Sequence, residues 1–209
     1  MSVERAPPVL WGARTGNCLR AAIGLCEAQL SFSIRPVALR RGEHLSADFL
    51  SLNPAGKAPI LTGIEANDPP LTLTQSNAIL FYADQMRPGR MLPLDGLARV
   101  RAVERFFYFV TDVIGPNGAA FTLTLHGQGD AAGTLSTASL EAITRSARFL
   151  DHDPYMGGAE FSLADIAAFT IIKASAEHLP WDELPTVRTW FDRVEARPDV
   201  QRGWTMFDS

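Results

Sequence analysis

The chain has 209 residues, 46% of them hydrophobic, and a formal net charge of −4 at neutral pH. That length supports one large domain or two small ones with a real core. No apolar run approaches the ~20 residues of a membrane span, and the acidic balance speaks against nucleic acid and anionic membranes as partners. The start of the chain lacks the charged and apolar stretches of a signal peptide. Cys18 and Cys26 are its two cysteines. On one helix they would lie about 12 Å apart along the axis, too far to bridge. A reducing, cytoplasmic location is expected.

Pro7 to Trp11 reads as a short strand with its prolines confined to the start. Gly12 to Asn17 is a loop, and Cys18 to Ala28 a helix that Thr15 or Asn17 could cap. A second strand runs through Phe32, Ile34 and Arg35-Pro36-Val37. Arg40 to Leu52 is polar, with a short helical pattern at Ala47 to Leu50. Two strands follow, Ala58 to Ile64 and Leu71 to Thr74, joined across Asn67-Asp68-Pro69-Pro70. Ser76 caps a helix through Met86. The β-α-β-α-β-β-α order predicts a small mixed sheet with helices on its faces.

Residues 87–96 break that pattern and read as a linker between a first domain, 1–86, and a helical domain, 97–209. Leu97 to Ile114 carries two apolar stripes, one through Val100, Val103, Phe107, Val110 and Ile114, the other through Phe106, Phe109 and Val113. Gly115 to Gly133 holds five glycines, and is expected as a long functional or disordered loop. A helix from Leu135 to Leu150 follows. Another begins at the capping-box arrangement Ser162-Leu163-Ala164-Asp165. Thr186 to Ala196 reads as a final helix, ended by Arg197-Pro198.

Chemistry has three candidate locations. In Asn53-Pro54-Ala55-Gly56-Lys57-Ala58-Pro59 the Ala58 backbone stands free beside a proline; a cis Ala58–Pro59 bond would turn it into a cleft as a rail for a peptide-like ligand. Arg14 to Arg20 lies at the carboxyl end of a strand and the start of a helix, where an anion such as a thiolate is favoured. The Thr15 hydroxyl and Asn17 amide could stabilise it; equally, Thr15 could simply cap the helix and Cys18 pack in the core. Gln75-Ser76 opens a helix suited to a carboxylate, or is an ordinary cap. Lys57 and His44 suit another carboxylate, or are solvated surface residues. His126, His152 and His178 lack metal-ligand spacing, so no metal is expected.

Taken together, these motifs resemble the cytosolic glutathione transferase superfamily over nearly the whole chain. Asn53 to Pro59 is similar to its Asn-Pro-x-Gly-Lys-Val-Pro turn, and Thr74-Gln75-Ser76-Asn77-Ala78-Ile79 to its Glu/Gln-Ser-x-Ala-Ile element. Phe161 to Ile166 resembles its capped core helix, Ala196-Arg197-Pro198 its usual ending, and Gly42-Glu43-His44 a stretch in plant and bacterial members. The resemblance implies a thioredoxin-like N-terminal domain, an all-helical C-terminal domain, a homodimer, and glutathione as co-substrate. Ala58 would pair its backbone with the cysteinyl unit beside a cis Pro59. Gln75 and Ser76 would hold the γ-glutamyl end, and His44 and Lys57 the glycine carboxylate.

Thr15-Gly16-Asn17-Cys18 looks like the Ser-Gly-Asn/Ser-Cys catalytic loop of some bacterial members, which implies Thr15 and Asn17 as the catalytic pair. Cys18 falls where thioredoxin-like proteins keep their second, buried cysteine, not the attacking one. Gln75 in place of an acidic residue, and Thr15 in place of Ser, Tyr or Cys, depart from the family pattern. The implied activity is conjugation of the glutathione thiolate to a hydrophobic electrophile. Phe106, Phe109 and Phe121 are candidate pocket walls between the domains, with ordinary core as the alternative for Phe106 and Phe109. A glutathione-dependent disulfide reductase and a non-catalytic module of the same fold are the rival readings.

Overall fold

The computed structural model describes residues 6–64 and 70–208. The chain divides into two units, one running up to Arg87 and joined by the residues from Pro198 onward, the other spanning Pro88–Arg197. The first contains β1 (Val9–Gly12), α1 (Gly16–Glu27), β2 (Ser33–Pro36), α2 (Ala47–Leu52), β3 (Ile60–Ile64), β4 (Leu71–Leu73) and α3 (Ser76–Met86). The sheet order is β2-β1-β3-β4, with β1 parallel to β2 and antiparallel to β3, and β3 antiparallel to β4. This is the thioredoxin-like arrangement expected from the residues and the resemblance. The turn expected at Asn67 to Pro69 lies outside the described residues.

Thr15 caps α1, its hydroxyl oxygen accepting from the Cys18 N–H at 3.4 Å. From Cys18 to Glu27 every residue of α1 is buried. Such a helix is packed on more than one side. α3 covers one side, and a short C-terminal helix, Pro198–Trp204, covers another. That last contact is close: a Cβ at Gly203 would stand 2.6 Å from the Ile23 backbone. Phe207, just beyond it, lays its ring over Gly12 of β1, 2.7 Å from where a Cβ there would be. Pro198 therefore does not end the chain's helical structure. It sits at the first position of a further helix, where a missing N–H leaves no bond unmade.

The second unit is helical: α4 (Gly96–Tyr108), a wider-wound turn at Phe109–Ile114, α5 (Gly115–Leu125), α6 (Gly129–Arg145), α7 (Leu163–Ala174) and α8 (Pro185–Glu195). The long loop expected between Gly115 and Gly133 is instead α5 and the start of α6, separated by a turn in which Gly127 takes φ +74°. Pro116 lies in the first turn of α5, where it is tolerated. Thr122 and Thr124 bond back to the carbonyls of Gly118 and Ala120. Packing of α5 on α6 outweighs the ~1 kcal/mol propensity loss at each helical glycine.

Phe106 and Phe109 are fully buried, so the ordinary-core alternative holds for both; Phe121 is 65% exposed. The expected capping box forms. The Ser162 hydroxyl accepts from Ala164 N–H, and Asp165 Oδ2 accepts from Ser162 N–H at 2.8 Å. Among the described residues no helix is long and apolar enough to cross a membrane.

Candidate active site

Sheet register alone gathers three of the segments singled out in the sequence. Trp11 pairs with Ile60, so the residues after Trp11 run beside those before Ile60. Leu61 pairs with Leu73, so the residues after Leu73 run beside those before Leu61. Ala13 to Asn17, Ala58-Pro59 and Gln75-Ser76 therefore leave the sheet at one end. Ala58–Pro59 is a cis peptide bond. The turn that precedes it is built by Asn53, whose Oδ1 accepts from Ala55 N–H at 3.1 Å and whose Nδ2 donates to the Lys57 carbonyl at 2.6 Å. Gly56 completes it in the left-handed region, at φ +60°.

Ala58 packs on the cluster of Val37, Phe49 and Ile60, together with Trp11. Among the described residues its N–H and C=O make no hydrogen bond. An unpaired extended backbone at the mouth of a sheet is a pairing edge for an extended ligand.

Beside that edge lies the first turn of α1. A hydroxyl has two acceptor sites and one proton. Because the Thr15 oxygen accepts from Cys18 N–H, capping itself does not use the hydroxyl proton. The structural and chemical roles of Thr15 are thus compatible. Asn17 is exposed, and its Oδ1 accepts from Arg20 Nη1 at 2.8 Å. Cys18 is wholly buried. Burial pushes its thiol up, against smaller opposing effects from the Thr15 hydroxyl, the Ala13 backbone and Arg20. A buried, protonated thiol is neither nucleophile nor redox centre.

α3 supplies the third side. Gln75, not Ser76, occupies the cap position, and its exposed side chain makes no capping bond. Ser76 is the first helical residue, buried, its hydroxyl oxygen accepting from Arg20 Nη1 at 3.2 Å. That corrects the expected Ser76 cap: the Gln75 carbonyl already accepts the first helical bond, from Ile79 N–H. The N–H groups opening the helix remain directed outward, as an anion requires. His44 is half-buried, its carbonyl 3.3 Å from where a Cβ of Gly56 would be, and its Nδ1 has no hydrogen-bond partner among the described residues. Lys57, next to Gly56, is exposed.

The residue that sequence reading missed is Arg20, which touches both Asn17 and Ser76. Within a helical pattern it reads as one more surface cation; its burial is visible only once α3 is in place.

The fold and this sheet end define a thioredoxin-like protein with an open backbone edge between two helix starts, followed by a helical unit. Residues 7–85 match the family described as glutathione S-transferase, N-terminal domain. The disulfide-bond oxidoreductase YfcG of Escherichia coli is 27% identical over 199 residues, 90% of each chain. Human glutathione S-transferase theta-1 is 29% identical over 194 residues, covering 80% of this chain and 73% of its own. A glutathione transferase family member from Pseudomonas fluorescens, solved with two glutathione bound, superposes with a TM-score of 0.84 at 21% identity, covering 97% and 94% of the two chains. The chain is thus similar to glutathione transferases in the sequence of its first domain, and it shares the fold of the Pseudomonas structure.

Proposed function

We propose that the protein binds glutathione at this sheet end and transfers its thiolate to a hydrophobic electrophile. The carrying observation is the convergence of Thr15, cis Ala58–Pro59 and Gln75–Ser76 beside a buried Cys18. A site of this kind has no usable thiol of its own, so the reactive sulfur belongs to the ligand. Glutathione, a tripeptide, pairs its cysteinyl backbone with Ala58. Its γ-glutamyl end meets Gln75 and Ser76, and its glycine carboxylate meets His44 and Lys57. Thr15 and Asn17 then act as the catalytic pair of a Thr-Gly-Asn-Cys loop. They donate to the sulfur and favour its ionised form, the thiol proton leaving to solvent. The thiolate forms a carbon–sulfur bond as the leaving group departs with its electron pair.

A second reading places sulfur at the electrophilic centre: bound thiolate attacks a disulfide, forms a mixed disulfide and releases a thiolate, and a second glutathione completes the reduction. The YfcG relative, which spans 90% of both chains, favours it. Parallel assays on an activated aryl halide and on a small disulfide separate the two, since one should turn over well and the other poorly. Calorimetry comes first: no heat at millimolar glutathione refutes both. The protein acts as a cytoplasmic homodimer in this reading. Support comes from an exposed apolar stripe, Leu97, Val100 and Phe107 on α4 with Phe121 and Leu125 on α5. A monomer by light scattering at micromolar concentration refutes the dimer.

A further inference from the structure

Arg20 lies among the buried residues of α1, 2% exposed. Arginine is almost never this deep unless its charge is used. Burial pushes its pKa down to about 10, so it remains a cation at neutral pH. Burying a cation in place of an apolar side chain costs desolvation that its hydrogen-bond partners must offset. Packing therefore does not account for the choice of residue, whereas its hydrogen bonds do. Nη1 donates to Asn17 Oδ1 at 2.8 Å and to Ser76 Oγ at 3.2 Å.

A guanidinium has donors and no acceptor. Facing it, the Asn17 amide must present its oxygen, which turns the NH2 group outward. Facing it, Ser76 must accept, which turns the hydroxyl proton outward. One cation thus sets two neighbouring groups as donors, Asn17 at the first turn of α1 and Ser76 at the first turn of α3.

We propose that Arg20 is a positioning residue that fixes Asn17 and Ser76 as hydrogen-bond donors, coupling the sulfur end of the glutathione site to its γ-glutamyl end. The inference rests on the glutathione reading above. It predicts an energetic coupling that a merely structural arginine would not show: Asn17 acts on the sulfur only while Arg20 orients it.

The test combines Arg20→Met, Asn17→Ala and their double variant, measuring glutathione affinity by calorimetry and the pKa of the bound thiol by its thiolate absorbance against pH. Arg20→Met should still unfold in one cooperative transition, at a lower midpoint because Asn17 and Ser76 lose their donor. It should lose about tenfold in affinity, the weight of one charge-assisted hydrogen bond, and raise the bound thiol pKa. Asn17→Ala should raise that pKa in the unaltered protein and add nothing in the Arg20→Met background. Additive effects, or an unchanged thiol pKa in Arg20→Met, overturn the proposal.

Asn17→Asp tests the same point without touching the core. It keeps an acceptor for Arg20 but offers a second acceptor to the sulfur, so the thiol pKa should rise further than in Asn17→Ala; a fall or no change overturns the proposal. If the unaltered protein gives no heat with millimolar glutathione, the glutathione reading falls and this inference with it. If it binds and the cycle is additive, only the inference falls.

Discussion

Thr15→Val separates the capping role of Thr15 from its proposed catalytic one, because valine keeps the shape and loses the hydroxyl. The structural loss is the cap to Cys18 N–H, about 1 kcal/mol. That leaves the protein folded if its stability lies in the usual range of about 5–15 kcal/mol. The chemical loss depends on pH. Take a bound thiol held at about 6.5 by the hydroxyl and returned to about 8.5 without it. At pH 7 the thiolate fraction then falls from about three quarters to about 3%, roughly 25-fold.

The more basic thiolate is also the better nucleophile, by about eightfold for a Brønsted coefficient near 0.45. The net loss is therefore about tenfold at pH 6, about threefold at pH 7, and reversed above roughly pH 7.6. The assay is kcat against pH on a small disulfide or an aryl halide, for both proteins. The two profiles should cross. A loss by one constant factor at every pH, or no loss, would leave Thr15 as a cap and remove it from the chemistry.

Three further outcomes follow from the geometry. Asp165, fully buried, accepts from Met156 N–H at 2.7 Å, Ser162 N–H at 2.8 Å, Ser162 Oγ at 3.0 Å and Trp190 Nε1 at 2.8 Å. In Asp165→Asn the amide NH2 must face one of those donors, so urea unfolding should show a loss of about 2–4 kcal/mol; an unchanged midpoint is the contrary result. Burial pushes the Cys18 and Cys26 thiols up, so each favours the fold while protonated. Their contribution is complete below the unfolded thiol value of about 8.5 and falls as pH rises beyond it. The Cys18→Ala/Cys26→Ala protein should lose less stability between pH 8 and 10, by about the same denaturation assay. Arg14 pairs with Asp208, but both are about half-exposed, so Asp208→Asn should move stability by less than about 0.5 kcal/mol. Phe207→Ala, which uncovers Gly12, should cost about 3 kcal/mol. Equal effects would show that the ion pair holds the tail as much as the ring does.

How far the sequence carried depended on whether a signal was local. The end of α3 at Met86 and its start, to within one residue, and the box at Ser162–Asp165 follow from short-range rules of capping and periodicity, and they were legible. So was the mixed sheet, because β1 and β2 flank a helix while β3 and β4 are close enough for a hairpin; the β1–β3 pairing that joins them was not. The region from Gly115 to Gly133 was misread because glycine content is a statement about propensity. α5 forms through its contacts with α6, which no window of sequence contains. The C-terminal helix was missed for the converse reason: it is short, Pro198–Trp204, and is held in place by α1, far earlier in the chain.

The candidate site divides along the same line. Ala58–Pro59 announces itself by composition, since a proline at the start of a strand admits few geometries. Its cis bond is present. Thr15 and Asn17 announce only a helix start, and the sequence leaves capping and chemistry as competing readings. The structure shows the cap, which uses the oxygen of Thr15 as an acceptor and so does not by itself exclude a chemical role. Arg20 is the harder case, because its acceptors stand three and 56 residues away. Nothing near it in sequence distinguishes it from a solvated charge. Only the packing of α3 against α1 converts it into a buried cation that sets the orientation of groups on both helices. The motif residues are legible from the sequence; the buried cation that bridges two of them is legible only from the fold.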